Sequence, residues 1–497
     1  MQVVASGRLG PGGHALRGRD KDRDRSRGRL HTALAVAAIF AAAAAGALGC
    51  SAPGRGGDSD VNPGPGPGPG KSDMAQNLPP CVGLGCKIAQ CPPTGSDTIL
   101  AGRVTAPNGV DPIREAIVYV PSMGVPDEFP AEVACEVCNN PVGGRPVAQT
   151  LTDIDGNFEL RRVPVTDATP IVIQKGRWRK VITVPVQKCE RQALSEDETR
   201  LPRVKAEGNI PRMAMAVGQW DAIECVMRHI GIKDEEFTAP NGGGAVHLYN
   251  NRSDGIGAPG GAGISGLLSD LKKMLQYNLI FLNCSDDTYS SDLLRDPTVV
   301  KNLHDYVARG GRLYVTDWSY DFIGQVPEFA PYICFNDDKP CTYQKPHGRY
   351  SATDAFRTAN FSSPLSAEID QSTEAGRNLA TWMSKLKKPS PGGRVAIYDD
   401  VGSWVMMRQT ADDQMQYAST TWLSGTVSGM KRPLTVSFDY PAAPLSCGKV
   451  LYSSYHTREH EAAQAFPRYC AKGDMLAQEQ VLEYLIFEIS SCVGPIG

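Results

Sequence analysis

The sequence predicts an α/β domain preceded by an all-β sandwich, with a disordered signal and linker ahead of both. Three observations carry this expectation. Between about residues 98 and 186, short β-branched runs alternate with turn residues. From about residue 210, apolar strand-like runs alternate with segments of helical periodicity. Ahead of residue 80, one alanine-rich run is the only apolar feature, and a Pro-Gly repeat follows it.

The chain has 497 residues, and at roughly 100–200 residues per domain this allows two to four domains. A net charge of -3 with no basic stripe argues against nucleic acid as a partner. The 14 cysteines, spread along the whole chain, suit an oxidising compartment.

The N-terminus accounts for that compartment. Arg17, Arg19, Lys21, Arg23, Arg25, Arg27 and Arg29 form a basic region, and Thr32 to Leu48 is an uncharged, mostly alanine run ending Ala47-Leu48-Gly49-Cys50. A basic start, a short apolar stretch and small residues before a break describe a secretory signal. The end resembles a lipobox, the bacterial lipoprotein motif, which makes Cys50 the lipidated residue and 1–50 the signal. That family usually has leucine three residues before the cysteine, where Ala47 stands here. An uncleaved membrane anchor and cleavage after Ala47 remain open, and each of the three exports the rest of the chain. Ser51 after the cysteine resembles the sorting pattern for the outer membrane.

Residues 51–96 read as a linker. Pro63-Gly64 repeats through Gly70, which neither a helix nor a ladder tolerates. Cys81, Cys86 and Cys91 follow, an odd set, so at least one pairs elsewhere. Residues 97–187 read as β. The expected strands begin Ile99-Leu100-Ala101 and Ala116-Ile117-Val118. A hairpin crossing at Asp155-Gly156 lies between Thr152 and Leu160, and Ile171–Ile173 and Val181–Val184 flank a turn at Lys175-Gly176. This stretch resembles the carboxypeptidase regulatory-like domain, a transthyretin-like sandwich, in Gly102-Arg103-Val104, Ala116-Ile117-Val118, Thr152-Asp153 and Asp155-Gly156-Asn157-Phe158. The resemblance implies a non-catalytic spacer or adhesion module. Cys135-Glu136-Val137-Cys138 admits a redox or zinc reading, but no second CxxC exists and a structural disulfide is expected.

Residues 188–209 read as a polar linker and 210–497 as the α/β domain. Met213–Val217 is a buried strand, followed by a helix stopped at Gly231 and a second strand, Val246–Tyr249. Asn278–Asn283 is a third strand. A helix capped by Asp296 with Pro297 at its start leads to a fourth, Arg312–Thr316. Strands return at Arg394–Tyr398, Leu434–Tyr440 and Lys449–Tyr455, and a last helix begins near Asp474. Such alternation means parallel βαβ units with ligand loops at the strand carboxyl ends.

This half resembles the class I glutamine amidotransferase-like fold, which is flavodoxin-like, in Tyr277 to Cys284, Gly310 to Asp317 and Gly448 to His456. Active members place a cysteine on a glycine-flanked elbow and activate it with His-x-Glu after a later strand. Here the elbow falls at Asp317-Trp318, with no cysteine and no flanking glycines, and His456 and Glu459 are separated by two residues. The nearby thiol, Cys284, follows the preceding strand. The resemblance therefore implies a degenerate member without glutaminase activity, with a crevice lined by Cys284, Asp317, Trp318 and His456. The weak catalytic candidates are His456, Glu459, Cys284 and Asp317. Residues 323–389 have no counterpart in it.

His456-Thr457-Arg458-Glu459-His460 also fits H-x-x-E-H, a zinc pattern that needs a helix, whereas His456 ends a strand here. Asp153-Ile154-Asp155-Gly156 lacks the distal Glu of a calcium loop and reads as a turn. Asp286 and Asp287 read as a solvated helix start. No cofactor and no metal are expected. Cys334 and Cys341 bracket a loop suited to a bridge, and Cys284 is the expected free thiol. The expected role is non-catalytic, binding or structural, at the outer membrane or periplasm-facing envelope. The expected partners are the membrane through the lipid anchor, and envelope proteins or glycans. A hydrolase using His456 and Glu459, and a carbohydrate-binding envelope protein, are the alternatives.

Overall fold

In a computed structural model, residues 81–491 are described except 137–141, 219, 252–260, 285–291, 330, 336–355, 360–363, 399–402, 408–418, 428, 459–465 and 471–472. The β-branched runs of the first half form β1 (Ile99–Arg103), β2 (Ile117–Pro121), β3 (Pro146–Leu151), β4 (Asn157–Arg161), β5 (Thr169–Lys175), β6 (Trp178–Val184) and β7 (Arg191–Ala193). They make two sheets, β4-β1-β7 and β3-β2-β5-β6. Leu100, Val118, Phe158, Leu160, Ile171 and Ile173, from both sheets, are buried in one apolar cluster.

Two sequence expectations change here. The Asp155-Gly156 turn exists, with Gly156 at φ +79°, but it does not close a hairpin. The strands on either side, β3 and β4, belong to different sheets. The polar stretch expected as a linker is folded: β7 pairs in parallel with β1, and α1 (Glu196–Thr199) is closed by a Ser195/Glu198 capping box. Polar residues suffice there because an exposed edge strand needs only its backbone partner.

The second half forms a ten-stranded sheet. Its parallel strands are β8 (Met213–Val217), β9 (Phe237–Thr238), β10 (Val246–Asn250), β11 (Leu279–Leu282), β12 (Arg312–Thr316) and β19 (Gly448–Ser453). β8, β11 and β12 are buried at every position, as continuous apolar runs covered on both faces should be. Taking β8, β10, β11, β12 and β19 as one to five, their spatial order is 2-1-3-4-5. The chain therefore reverses direction across the sheet at β8, and the crevice outside the carboxyl ends of the strands is where such folds place ligands.

The helices between these strands are α2 (Ile223–His229), α3 (Ser265–Leu268), α4 (Leu271–Met274), α5 (Pro297–Ala308) and α6 (Asp321–Gly324). Asp296 caps α5 by accepting from the Thr298 N–H at 2.8 Å. Beyond β19 the sheet continues antiparallel through β18 (Met430–Tyr440), β17 (Thr420–Val427), β14 (Leu365–Ile369) and β15 (Arg394–Ile397), while β13 (Phe356–Ala359) and β16 (Ser403–Met406) pair with each other in a separate two-stranded sheet. Part of the stretch without a counterpart in the amidotransferase resemblance thus extends this sheet and supplies α7 (Glu374–Lys385).

The last helix, α8 (Ala477–Ile489), packs against the first half as well as the second. Trp178 meets Phe487 at a centroid distance of 5.5 Å, and Lys175 pairs with Glu488 at 3.2 Å. The β5–β6 turn approaches so closely that a Cβ on Gly176, at φ +56°, would stand 2.0 Å from the Ser490 carbonyl oxygen.

Disulfides join Cys81 to Cys86, Cys91 to Cys189, Cys135 to Cys447 and Cys225 to Cys470. The odd N-terminal set therefore does reach outside itself, through Cys91. The CxxC cysteine Cys135 is structural, but its partner lies 312 residues away and ties the two halves together. Cys334 is disulfide-bonded, and its expected partner Cys341 lies outside the described residues. Cys284 is the free thiol among the described residues. No helix among them is long and apolar enough to cross a membrane.

Candidate functional site

The carboxyl ends of four adjacent strands, β19, β12, β11 and β8, deliver His456, Asp317, Cys284 and Asp221 to one place. The side chains of all four are nearly closed from solvent: Asp221 and Asp317 are 0% exposed, His456 2% and Cys284 3%. Three of these were expected from the sequence. Asp221 was not, although it follows a buried strand as Cys284 does. It lies between Trp220 and Ile223 in the stretch read as a helix, where nothing local marks it.

Asp221 organises the site. Its Oδ1 accepts from the Thr457 N–H at 3.0 Å and the Thr457 hydroxyl at 2.6 Å. Its Oδ2 accepts from the Thr316 hydroxyl at 2.5 Å and faces the Cys284 N–H at 3.5 Å. One buried carboxylate thus fastens the end of β12 to the segment that follows β19. Gly218 lets Asn251 close over the end of β8: a Cβ there would stand 1.7 Å from Asn251 Nδ2. Asn251 Nδ2 donates to Asn283 Oδ1 at 3.3 Å, and Asn283 Nδ2 donates to the Asp221 carbonyl at 3.4 Å.

Asp317 occupies the expected elbow. Its φ of +40° lies in the left-handed region, uncommon for a residue with a Cβ and strained unless its surroundings enforce it. The enforcing contacts are visible. The Tyr452 hydroxyl donates to the Asp317 carbonyl at 3.1 Å, and the Ser319 hydroxyl donates to the Asn283 carbonyl at 2.6 Å. Asp317 Oδ2 lies between the other two groups, 3.6 Å from Cys284 Sγ and 3.7 Å from His456 Nε2. Gln478 holds the His456 carbonyl at 2.9 Å.

Burial raises the Cys284 thiol well above its usual range, and the nearby charges of Asp317 and Asp221 push it further up, against a backbone N–H from Trp318. A thiol so placed is a poor nucleophile, because only the thiolate attacks. The thiol of Cys284, an Asp317 carboxylate oxygen and a His456 ring nitrogen lie within 4.8 Å of one another, a grouping that could hold a metal ion.

The remaining candidates separate. Residues 454–458 are not helical, so His456 does not stand on the helix that H-x-x-E-H requires. Glu459, His460, Asp286, Asp287 and Cys50 lie outside the described residues, and Trp318 is partly buried beside the elbow. Asp153 forms a turn, its Oδ1 accepting from the Asp155 and Asn157 N–H groups at 2.9 and 2.8 Å. A separate cavity of about 350 Å³ is lined by Trp422, Ser437, Lys449, Leu451 and Glu488 among others. None of the four site residues borders it.

No family model and no curated protein matches this chain. Among solved structures, a cytoplasmic protein from Salmonella typhimurium aligns at 10% identity over 56% of this chain and 98% of its own, with a TM-score of 0.29. A ThuA-like protein from Bacteroides uniformis aligns at 10% identity over 55% and 89%, with a TM-score of 0.28. The glutaminase domain of Trypanosoma brucei CTP synthase, with bound acivicin, aligns at 10% identity over 58% and 97%, with a TM-score of 0.29.

Proposed function

We propose that this chain is a non-catalytic lipoprotein of the bacterial envelope with a binding or structural role. In this reading the first half is a carboxypeptidase regulatory-like sandwich, and the second is a flavodoxin-like, amidotransferase-like domain without its nucleophile. The observation that carries it is Asp317 at the elbow, with φ +40° and a fully buried side chain. A carboxylate there replaces the thiol and opposes formation of a thiolate at Cys284. The disulfides suit an exported chain, and the basic-then-apolar run ending in Cys50 suits a lipid anchor. Envelope proteins or glycans are the proposed partners. A hydrolase built on His456 is the second reading, favoured by its 3.7 Å approach to Asp317.

Two assays test this reading. A palmitate analogue should label wild type and spare Cys50→Ala, and equal labelling of both would exclude the anchor. Purified protein should release no ammonia from glutamine, and release that depends on Cys284 would overturn the non-catalytic reading. Loss of a hydrolytic activity in His456→Ala, with folding intact, would favour the second reading.

A further inference from the structure

We infer that Cys284, Asp317 and His456 form a three-ligand site for a divalent transition metal, with zinc the best fit to the donor set. The three residues lie far apart along the chain, and the zinc pattern read at His456 lacks its helix in the described residues 454–458.

Geometry comes first. Zinc takes sulfur at about 2.3 Å, imidazole nitrogen at about 2.0–2.1 Å and carboxylate oxygen at about 2.0–2.2 Å. Tetrahedral angles at those lengths put neighbouring donor atoms roughly 3.3–3.6 Å apart. Here Asp317 Oδ2 stands 3.6 Å from Cys284 Sγ and 3.7 Å from His456 Nε2, and the three ligand atoms fall within 4.8 Å of one another. The two Asp317 separations already match that spacing, and the Cys284–His456 separation, up to 4.8 Å, has to close by up to about 1.2 Å to bring all three onto one ion.

Charge comes second. A thiolate and a carboxylate together balance a divalent cation, so the loaded site is neutral where it is buried. The three donors stand in a region of almost no exposure, where a neutral assembly is favoured over a charged one. Support from behind the ligands comes third. Asp221 fixes the backbone beside His456 through the Thr457 N–H, and Tyr452 fixes the carbonyl of Asp317. The strained backbone of Asp317 is the conformation that aims its carboxylate between the other two donors. Outer contacts of this kind orient ligands in metal sites.

Three protein ligands leave a fourth position for water or a donor from a bound molecule. Binding forms a sulfur–metal bond and releases the Cys284 proton to solvent, so uptake should strengthen as pH rises.

The test uses the full-length chain, stripped with a chelator and titrated with Co²⁺. One equivalent should bind with saturation, and a near-ultraviolet thiolate-to-cobalt charge-transfer band should appear that Zn²⁺ then abolishes. Cys284→Ser should lack the band, and Asp317→Asn and His456→Ala should bind at least about 10-fold more weakly. Zn²⁺ should raise the unfolding temperature of wild type more than that of these variants. Absence of saturable binding by wild type would overturn the inference, as would a band that survives in Cys284→Ser. If Cys284→Ser does not fold, wild-type affinity in the other two variants would overturn it equally. The glutamine assay is independent of every one of these outcomes.

Discussion

Replacing Asp221 by alanine tests whether one carboxylate holds the site together. The side chain is 0% exposed, and three donors reach it within 3.0 Å: the Thr316 hydroxyl, the Thr457 hydroxyl and the Thr457 N–H. The Cys284 N–H at 3.5 Å is too long to contribute much. A hydrogen bond to a charged group contributes about 1.5–3 kcal/mol, and a buried donor left without an acceptor costs about 1–3 kcal/mol. The two hydroxyls can rotate toward other acceptors, but the Thr457 N–H cannot. Asp221→Ala should therefore lose about 3–5 kcal/mol. Asp221→Asn keeps the shape and one acceptor oxygen and should lose roughly half of that. Urea unfolding at neutral pH under non-reducing conditions reads both as lower midpoints at unchanged slope. Two local readouts should follow: loss of hydrogen-exchange protection at the Thr457 amide, and faster alkylation of Cys284 by a maleimide. A loss below about 1 kcal/mol for Asp221→Ala, with Thr457 still protected, would refute the argument, since it falls under the desolvation cost of one abandoned donor.

Glu483 is fully buried, and burial, then the neighbouring charge of Asp111, pushes its carboxyl well above the usual 4.5. An acid raised in the folded state contributes stability that is present below pH 4.5 and lost as pH rises through the folded value. Glu483→Gln should thus match or exceed wild type in urea at pH 7 and lose that advantage at pH 4, and the opposite trend would exclude the assignment. Glu207 behaves inversely. Its side-chain hydrogen bonds to Arg200, at 2.7 Å each, hold its carboxyl down at about 2. Its contribution is present above pH 4.5 and lost as pH falls through about 2. The urea midpoint of Glu207→Gln should lie below wild type at pH 6 and converge with it near pH 2, and parallel acid profiles would count against this. The Cys225–Cys470 bridge closes a loop of 245 residues beside the site. A Cys225→Ala/Cys470→Ala protein should lose about 2–5 kcal/mol, and an unchanged denaturation midpoint would show that the bridge contributes nothing.

The parallel half of the fold was legible because β8, β11 and β12 are unbroken apolar runs, and because α5 announces itself with Asp296 and Pro297. The same legibility exposed Cys284, Asp317 and His456, each placed just past such a run. The antiparallel extension was harder. β14 is a strand of only five residues, too short for its alternation to stand out, and its partners come from distant sequence. α8 buries Gln478, Glu479, Gln480 and Glu483, so its polar residues gave no sign that the helix is enclosed on nearly every side. β7 carries the residues Arg191, Gln192 and Ala193 and owes its conformation to β1 alone. Asp221 carries no local mark, lying between a buried strand and a short helix. What fixes it is the Thr316 hydroxyl at the end of β12 and two donors of Thr457, and a contact made at a sequence distance of 236 residues leaves no local trace.

The position of α8 also dictates when the chain can finish folding. Translation delivers residues in order, so Trp178 and Lys175 wait for Phe487 and Glu488, the latter pair separated by 313 positions. Until then the first half has strands but lacks part of its covering, and apolar surface that α8 will later occupy faces the solvent. Contacts this remote slow folding and prolong exposure of sticky intermediates. The β part is therefore not a module that can be completed early and set aside. The surface that this helix covers in the first half stays open until residues 477–489 have been made.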